Sequence, residues 1–408
     1  MIRLLSIIPL LVVLISPMGT SAQTDSTKIE LEAKHPPTYK FEAGIEANYG
    51  STNLNNEFIQ KLLFGGKIET SLKDRVLDRT NKRNRFGLEI NYEARFIDLS
   101  DTVFVNLPNY RYYIGFGSYN NLSASYTHDL FNTVFYGNKQ FENQTAELGK
   151  SNFTSYKFEK ITIGLMSRDS SHSFGVSLII GDRYNGYNFK RADMFTHPEG
   201  TDITMNYEGS VRLSDPERGG FMSFAGAGIG LDYMTQLVNN RYTFSVTNFG
   251  VAFWQRNTSY SNTELEYNFD GIEIDNVFQT SSEEIETKAL AILPELREKG
   301  FVTFLPTIVR FDKNINPENK FQPIYGLRYK FFSNYLPQIY GGYSYQASDK
   351  LRFSSNLTWG GYAGLRAGIG AYYTNKRLMV GLQSTNFTGM FIKFGNGNGG
   401  SIFACYYF

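Results

Sequence analysis

Phe86, Leu88, Ile90, Tyr92, Ala94 and Phe96 fall on one face of an extended chain, and Gly87, Glu89, Asn91, Glu93 and Arg95 fall on the other. Side chains alternate along a strand with a period of two, so this segment must lie between an apolar medium and a polar one. Phe41 to Tyr49 repeats the pattern, with Phe41, Ala43, Ile45, Ala47 and Tyr49 set against Glu42, Gly44, Glu46 and Asn48. A helix would scatter both sets around its axis. The composition agrees, since 28 Tyr and 34 Phe stand against 2 Trp, with 38 Gly, and these residues suit pleated surfaces and tight corners.

Further strand candidates follow at short spacing: Tyr112 to Tyr119, Leu122 to Asp129, Tyr156 to Met166, Phe174 to Gly181, Phe221 to Gln236, Tyr242 to Trp254, Phe301 to Phe311 and Phe321 to Phe331. The last third is nearly all strand and turn: Gln338 to Tyr345, Leu351 to Trp359, Tyr362 to Tyr373, Arg377 to Thr385, Phe387 to Gly395 and Ser401 to Phe408. Connections such as Ala347 to Lys350 and Thr374 to Lys376 are hairpin-sized and rich in turn residues. Successive hairpins make a meander, which closes into a barrel more naturally than it forms a Greek-key sandwich. The expected fold is all-β: a transmembrane antiparallel up-and-down β-barrel of about 14 strands over residues 41–408, with one short helical insertion.

The chain ends supply the compartment. Arg3, the apolar run Leu4 to Ile15 and the small residues Thr20-Ser21-Ala22 read as a secretory signal peptide over residues 1–22, cleaved near Ala22. Residues 23–40 then form a short periplasmic segment. After residue 22 no apolar run is long enough to cross a bilayer as a helix, which leaves strands as the only spanning element. At the other end Ile402, Ala404, Tyr406 and Phe408 share one face of a final strand. This closing segment resembles the last strand of outer-membrane barrels, which the barrel assembly machinery reads as a signal. Its expected pairing partner is Phe41 to Tyr49, because pairing the last strand with the first removes the open edge.

Glu42, Glu46, Glu89, Asn91, Glu93 and Arg95 are the candidate lumen-lining residues, being the polar face of the two clearest strands. Two insertions interrupt the regular part. Asn185 to Gly219 has loop and turn chemistry, and residues 257–300 form the longest connection, with a capped helix start at Ser281 to Ile285 and a stop at Gly300. Asp74 to Arg85 is a basic connection suited to lipid phosphates or to solvent.

Lys and Arg number 40 against 39 Asp and Glu, so nucleic acid is not an expected partner. The lone Cys405 forms no intrachain disulfide, and four His with one Cys make a metal site improbable. No cofactor is expected. Ser171-His172-Ser173 is the only local hydrolase-like constellation, and a polar turn accounts for it without catalysis. Gly395 to Gly400 lacks the strand-to-helix context of a phosphate-binding loop, and a hairpin loop is its expected form.

Gly-Ile-Gly-Leu-Asp-Tyr at 228–233, Phe244 to Gly250, Trp254 and Leu305-Pro306-Thr307 resemble segments of the FadL/PorV-like outer-membrane barrels. That superfamily includes transporters of hydrophobic compounds and accessory barrels of secretion machines. The resemblance covers the second half of the chain and departs from the transporters in the short N-terminal segment, where they carry a plug. It implies a channel for small or hydrophobic solutes in the outer membrane; the alternatives are a structural or accessory barrel docked to another envelope protein, and a lipid hydrolase of the same membrane. The partners expected are outer-membrane lipid and, during biogenesis, the assembly machinery; no enzymatic activity is expected.

Overall fold

The computed structural model describes residues 37–100, 107, 109–200, 202–215, 220–255, 258–269, 297–390 and 395–408. The expected signal peptide and the expected helix from Ser281 lie outside the described residues. In chain order the strands are β1 (Tyr39–Ser51), β2 (Asn84–Asp98), β3 (Tyr110–Tyr126), β4 (Gln144–Glu147), β5 (Ser151–Ser167), β6 (His172–Thr196), β7 (Ile203–Leu213), β8 (Gly226–Leu237), β9 (Tyr242–Trp254) and β10 (Ser259–Phe269). They continue as β11 (Arg297–Glu298), β12 (Val302–Phe304), β13 (Thr307–Lys313), β14 (Phe321–Phe331), β15 (Leu336–Ser348), β16 (Leu351–Gly361), β17 (Arg366–Thr374), β18 (Leu378–Ser384) and β19 (Gly397–Tyr407). Three short helices join them: α1 (Asn56–Phe64), α2 (Thr70–Leu77) and α3 (His128–Tyr136).

Fourteen strands form the closed antiparallel ring. The ring runs β1, β2, β3, β5, β6, β8, β9, β12 with β13, then β14 through β19, and β19 returns to β1. Strands β12 and β13 both pair with β9 and are one strand interrupted at Leu305-Pro306. The seam pairs Phe41 with Tyr406, Ala43 with Ala404 and Ile45 with Ile402, so the expected union of the first and last strands is present. Strands β4, β7 and β10 extend from the far half of β6 and β7 as a flap above the ring.

The outward side chains are apolar and exposed: Ile114, Ile163, Leu178, Ile229, Phe249 and Leu357 form a belt around the ring. Between them the inward positions mix polar residues and glycine with buried rings and aliphatic side chains such as Tyr113, Phe158, Ile179 and Trp254. Where an inward ring is large, a glycine on another part of the wall receives it. A Cβ on Gly164 or Gly175 would stand 2.3 or 2.4 Å from Tyr113, and one on Gly87 would stand 2.2 Å from the ring of Tyr362.

The two ends of the ring differ. At the end holding Tyr39 and Tyr407 most connections are brief, as between β5 and β6, β8 and β9, β15 and β16, and β17 and β18, with residues 99–109 between β2 and β3 as the longest. The opposite end carries the long ones, including all three helices, the flap and the connection from β9 to β12.

Several elements differ from the sequence reading. Tyr112 to Tyr119 and Leu122 to Tyr126 are one strand, and His128 and Asp129 open α3, whose start is capped by Thr127 accepting from the Leu130 amide. Helix α1 is capped likewise by Asn55, and the basic connection from Asp74 begins inside α2. Asn185 to Thr196, expected as loop, continues β6 because β7 offers a ladder on one side and β5, then β4, on the other, and tertiary pairing overrides weak local preference. Ile203 to Leu213 is β7, and the long 257–300 connection opens with β10. Phe387 to Met390 is a 3-10 turn rather than strand, and Gly397 to Gly400, expected as hairpin loop, pair with β1.

Gly87→Val should push the Tyr362 ring off β2 and lower the temperature at which the folded band converts to the unfolded one on gels. An unchanged conversion temperature would show that the ring is not held there.

The charged barrel interior as candidate functional site

Strand β2 lies seven places from β14 around the ring of 14, so their inward side chains meet from opposite walls. Glu89 on β2 accepts from Lys330 Nζ at 2.9 Å and from Arg328 Nη2 at 3.0 Å. Arg328 Nη1 also donates to Glu46 on β1 at 2.9 Å, and Lys330 donates to Asn121 on β3. Arg310 on β13 stands 3.7 Å from Glu46. These groups are deeply buried, with Glu46, Glu89 and Lys330 at 4%, 3% and 1% exposure. A buried charge is costly unless it is paired and hydrogen-bonded, and here each carboxylate is held by two cations. The result is a clamp that ties the walls together across the lumen.

Towards the long-loop end the lumen is filled by apolar packing. Tyr119, Tyr156, Phe158, Ile179, Trp254 and Leu305 form one buried cluster. Tyr156 and Trp254 keep their polar atoms satisfied on Thr303, at 3.0 and 2.9 Å. From the rim above, Ser333 and Asn334 reach across to Ser123 and Asn152.

On the short-turn side of the clamp lies a cavity of about 240 Å³. Glu42, Glu46, Asn91, Glu93 and Arg95 line it, joined by Asp232, Arg310, Asp312, Tyr113 and Cys405. Glu89 is not on the cavity wall; it is consumed in the clamp. Within the cavity Glu93 accepts from Tyr119 at 2.5 Å, and Arg95 lies 3.8 Å from Glu93 and over the ring of Tyr113. Glu42 is bound by Lys40 at 2.7 Å. Asp232 receives Lys160 at 2.7 Å and the Asn248 amide at 2.8 Å, where Asn248 takes the left-handed conformation with φ 58°. The Asn91 Oδ1 is buried without a protein partner. Both signs of charge therefore converge on one polar chamber beside the clamp, with Glu46 belonging to both.

Arg310, Arg328, Lys330, Lys160 and Asp232 were not singled out in the sequence. Period two along Phe321 to Phe331 places Arg328 and Lys330 on the polar face, and that was the available signal. The closing residues Ile402, Ala404, Tyr406 and Phe408 occupy the outward face of β19 or its end, with Tyr406 and Phe408 exposed. His172 sits at a short turn, where its Nδ1 lies 2.8 Å from Thr235 Oγ1 while Ser171 donates to Asp169 at 2.7 Å, so the serine and histidine are not paired. Among the described residues no group of three or more His, Cys, Asp or Glu could hold a metal ion.

The model of a family of unknown function (DUF5723) matches residues 37–381, and the chain belongs to that family. No curated protein matches the chain. Solved structures similar to it include the Pseudomonas putida toluene transporter TodX, at 10% identity over 92% of this chain and 91% of that one, with a TM-score of 0.39. A Pseudomonas aeruginosa FadL homologue matches at 12% identity over 91% and 90%, with a TM-score of 0.40. The β domain of the Bordetella autotransporter BrkA matches at 8% identity over 90% and 98%, with a TM-score of 0.27. At these scores the likenesses decide nothing about this barrel, whose description rests on its own strand pairing.

Lys330→Met should destabilise the barrel by about 3 kcal/mol, because it leaves Glu89 and Asn121 short of a donor in a desolvated place. Lys330→Met with Glu89→Gln should recover part of that loss. Urea unfolding of the four members of this cycle in lipid measures it; strictly additive losses would show that the clamp carries no coupling.

Proposed function

We propose that this member of DUF5723 is an outer-membrane channel for small polar solutes, held shut in this conformation by the Glu46–Arg328–Glu89–Lys330 clamp. The observation that carries the proposal is the two-signed cavity directly beneath the clamp. A solute with its own charges can replace the internal pairs of such a chamber without leaving any of them desolvated and alone. The exposed apolar belt supports the membrane setting, since a closed ring of strands satisfies its backbone within itself and needs only greasy side chains outside. Bacterial barrels keep short turns on the periplasmic side and long loops outside. The short-turn end, nearer the cavity, therefore faces the periplasm, and the helices and flap face the exterior.

The second reading is a structural or accessory barrel of an envelope assembly. The depth of the clamp favours it, because wall-to-wall ion pairs also serve a barrel that never opens.

Purified protein in planar bilayers should pass little current, and Glu46→Gln with Glu89→Gln should raise conductance several-fold by freeing Arg328 and Lys330 from the opposite wall. Conductance equal to a protein-free bilayer in both cases would sink the channel and leave the structural barrel. In a Cys405→Ser background, intact cells should label Glu69→Cys with an impermeant maleimide and leave Asn375→Cys unlabelled. The reverse pattern would invert the orientation.

A further inference from the structure

Helices α1, α2 and α3 belong to the long-loop end, yet they are not stacked over the mouth of the barrel. Phe58, Ile59, Leu72, Val76 and Phe131 pack with Tyr49, Phe86, Leu88, Leu122 and Ala124. Those strand residues share the parity of the outward belt, so the bundle is fastened to the outer wall. Its own fastenings are specific: Asn56 Nδ2 donates to the Gly389 carbonyl at 2.7 Å, and Lys73 Nζ to the Phe135 carbonyl at 2.9 Å.

The bundle presents two kinds of surface. Leu62, Phe64 and Val134 are exposed at 44%, 64% and 64%, and they continue the apolar belt beyond the strands. Around them the chain is basic, with eight Lys and Arg against four Asp and Glu between residues 56 and 85. Lys67 has 83% of its side chain exposed and lies 3.5 Å from the half-exposed Glu69, and Arg79 and Lys82 are exposed beyond α2. Exposed apolar side chains within a basic segment are the surface of an element that lies in a membrane interface, and cations there attract anionic head groups by about 1 kcal/mol each.

We propose that the α1–α3 bundle is a binding site for a phosphate-bearing lipid of the leaflet around this rim. Acyl chains lie against Leu62, Phe64 and Val134, and the phosphates meet Lys67, Arg79 and Lys82. Charge complementarity and continuity with the lipid-facing belt name this occupant over a protein partner. The inference rests on the membrane placement proposed above and not on solute passage.

Native mass spectrometry of the full chain in detergent tests it with three probes: bis-phosphorylated lipid A, the same lipid with its phosphates removed, and inorganic phosphate. The phosphorylated lipid should bind the wild type more tightly than the dephosphorylated one. Lys67→Gln with Arg79→Gln and Lys82→Gln should weaken it by about tenfold or more, and Leu62→Ser with Phe64→Ser should weaken both lipids. Folding of each variant is followed by its heat-modifiable band, and loss of that band in the wild type would instead count against the barrel in membranes. Equal binding of the two lipids, indifference to the triple substitution, or displacement of lipid by equimolar inorganic phosphate would each overturn the site.

Discussion

Hydrocarbon offers no hydrogen bonds, so a strand placed in it must find both neighbours within the protein. The β1–β19 seam is where this chain meets that condition, with eleven paired positions from Lys40–Tyr407 to Gly50–Gly397. Everything else follows from closure. A ring has an inside and an outside, each strand must alternate between them, and residues from opposite walls are forced towards one axis. Glu89 and Lys330 are 241 residues apart in the chain and 2.9 Å apart in space for that reason.

The interior then has to be filled or wetted, and this chain does both in layers. Apolar rings occupy the lumen near the long loops, the clamp crosses its middle, and a polar chamber lies between the clamp and a second buried apolar cluster, with Ile97, Met166 and Tyr407, at the short turns. The clamp is a poor source of stability for its size, since its desolvation offsets much of its attraction. Its effect is on specificity: only one register of β1, β2 and β14 brings four charges into balance. A slip of one residue would turn Glu89 and Lys330 to the lipid.

The barrel was legible because its two walls face unlike media, and the alternation of Phe86 to Phe96 records that difference directly. Strand number and closure followed from the meander. The helices were less visible: each has fewer than ten residues, and the cap at Thr127 sits inside Leu122 to Asp129, whose pattern reads as a strand. The flap was missed for the opposite reason. Asn185 to Thr196 carries loop residues, and only the ladders of β4, β5 and β7 make it extended. For the interior, parity told which residues point inwards, but not that Glu89 would be spent on the clamp while Glu42 and Glu93 face the chamber. That division depends on which strands stand opposite, and a one-dimensional pattern carries no such information.

The fit of Tyr113 against Gly164 and Gly175 implies that the wall exchanges volume between strands. A bulky side chain on one strand occupies the place that a Cβ on its neighbour would need, so neither position is free to drift alone. Substitutions here should be tolerated as reciprocal swaps, a ring lost from β3 together with methyl groups gained on β5 and β6. The inner surface thus behaves as a mosaic of interlocking tiles, in which the shape of each is set by the one beside it.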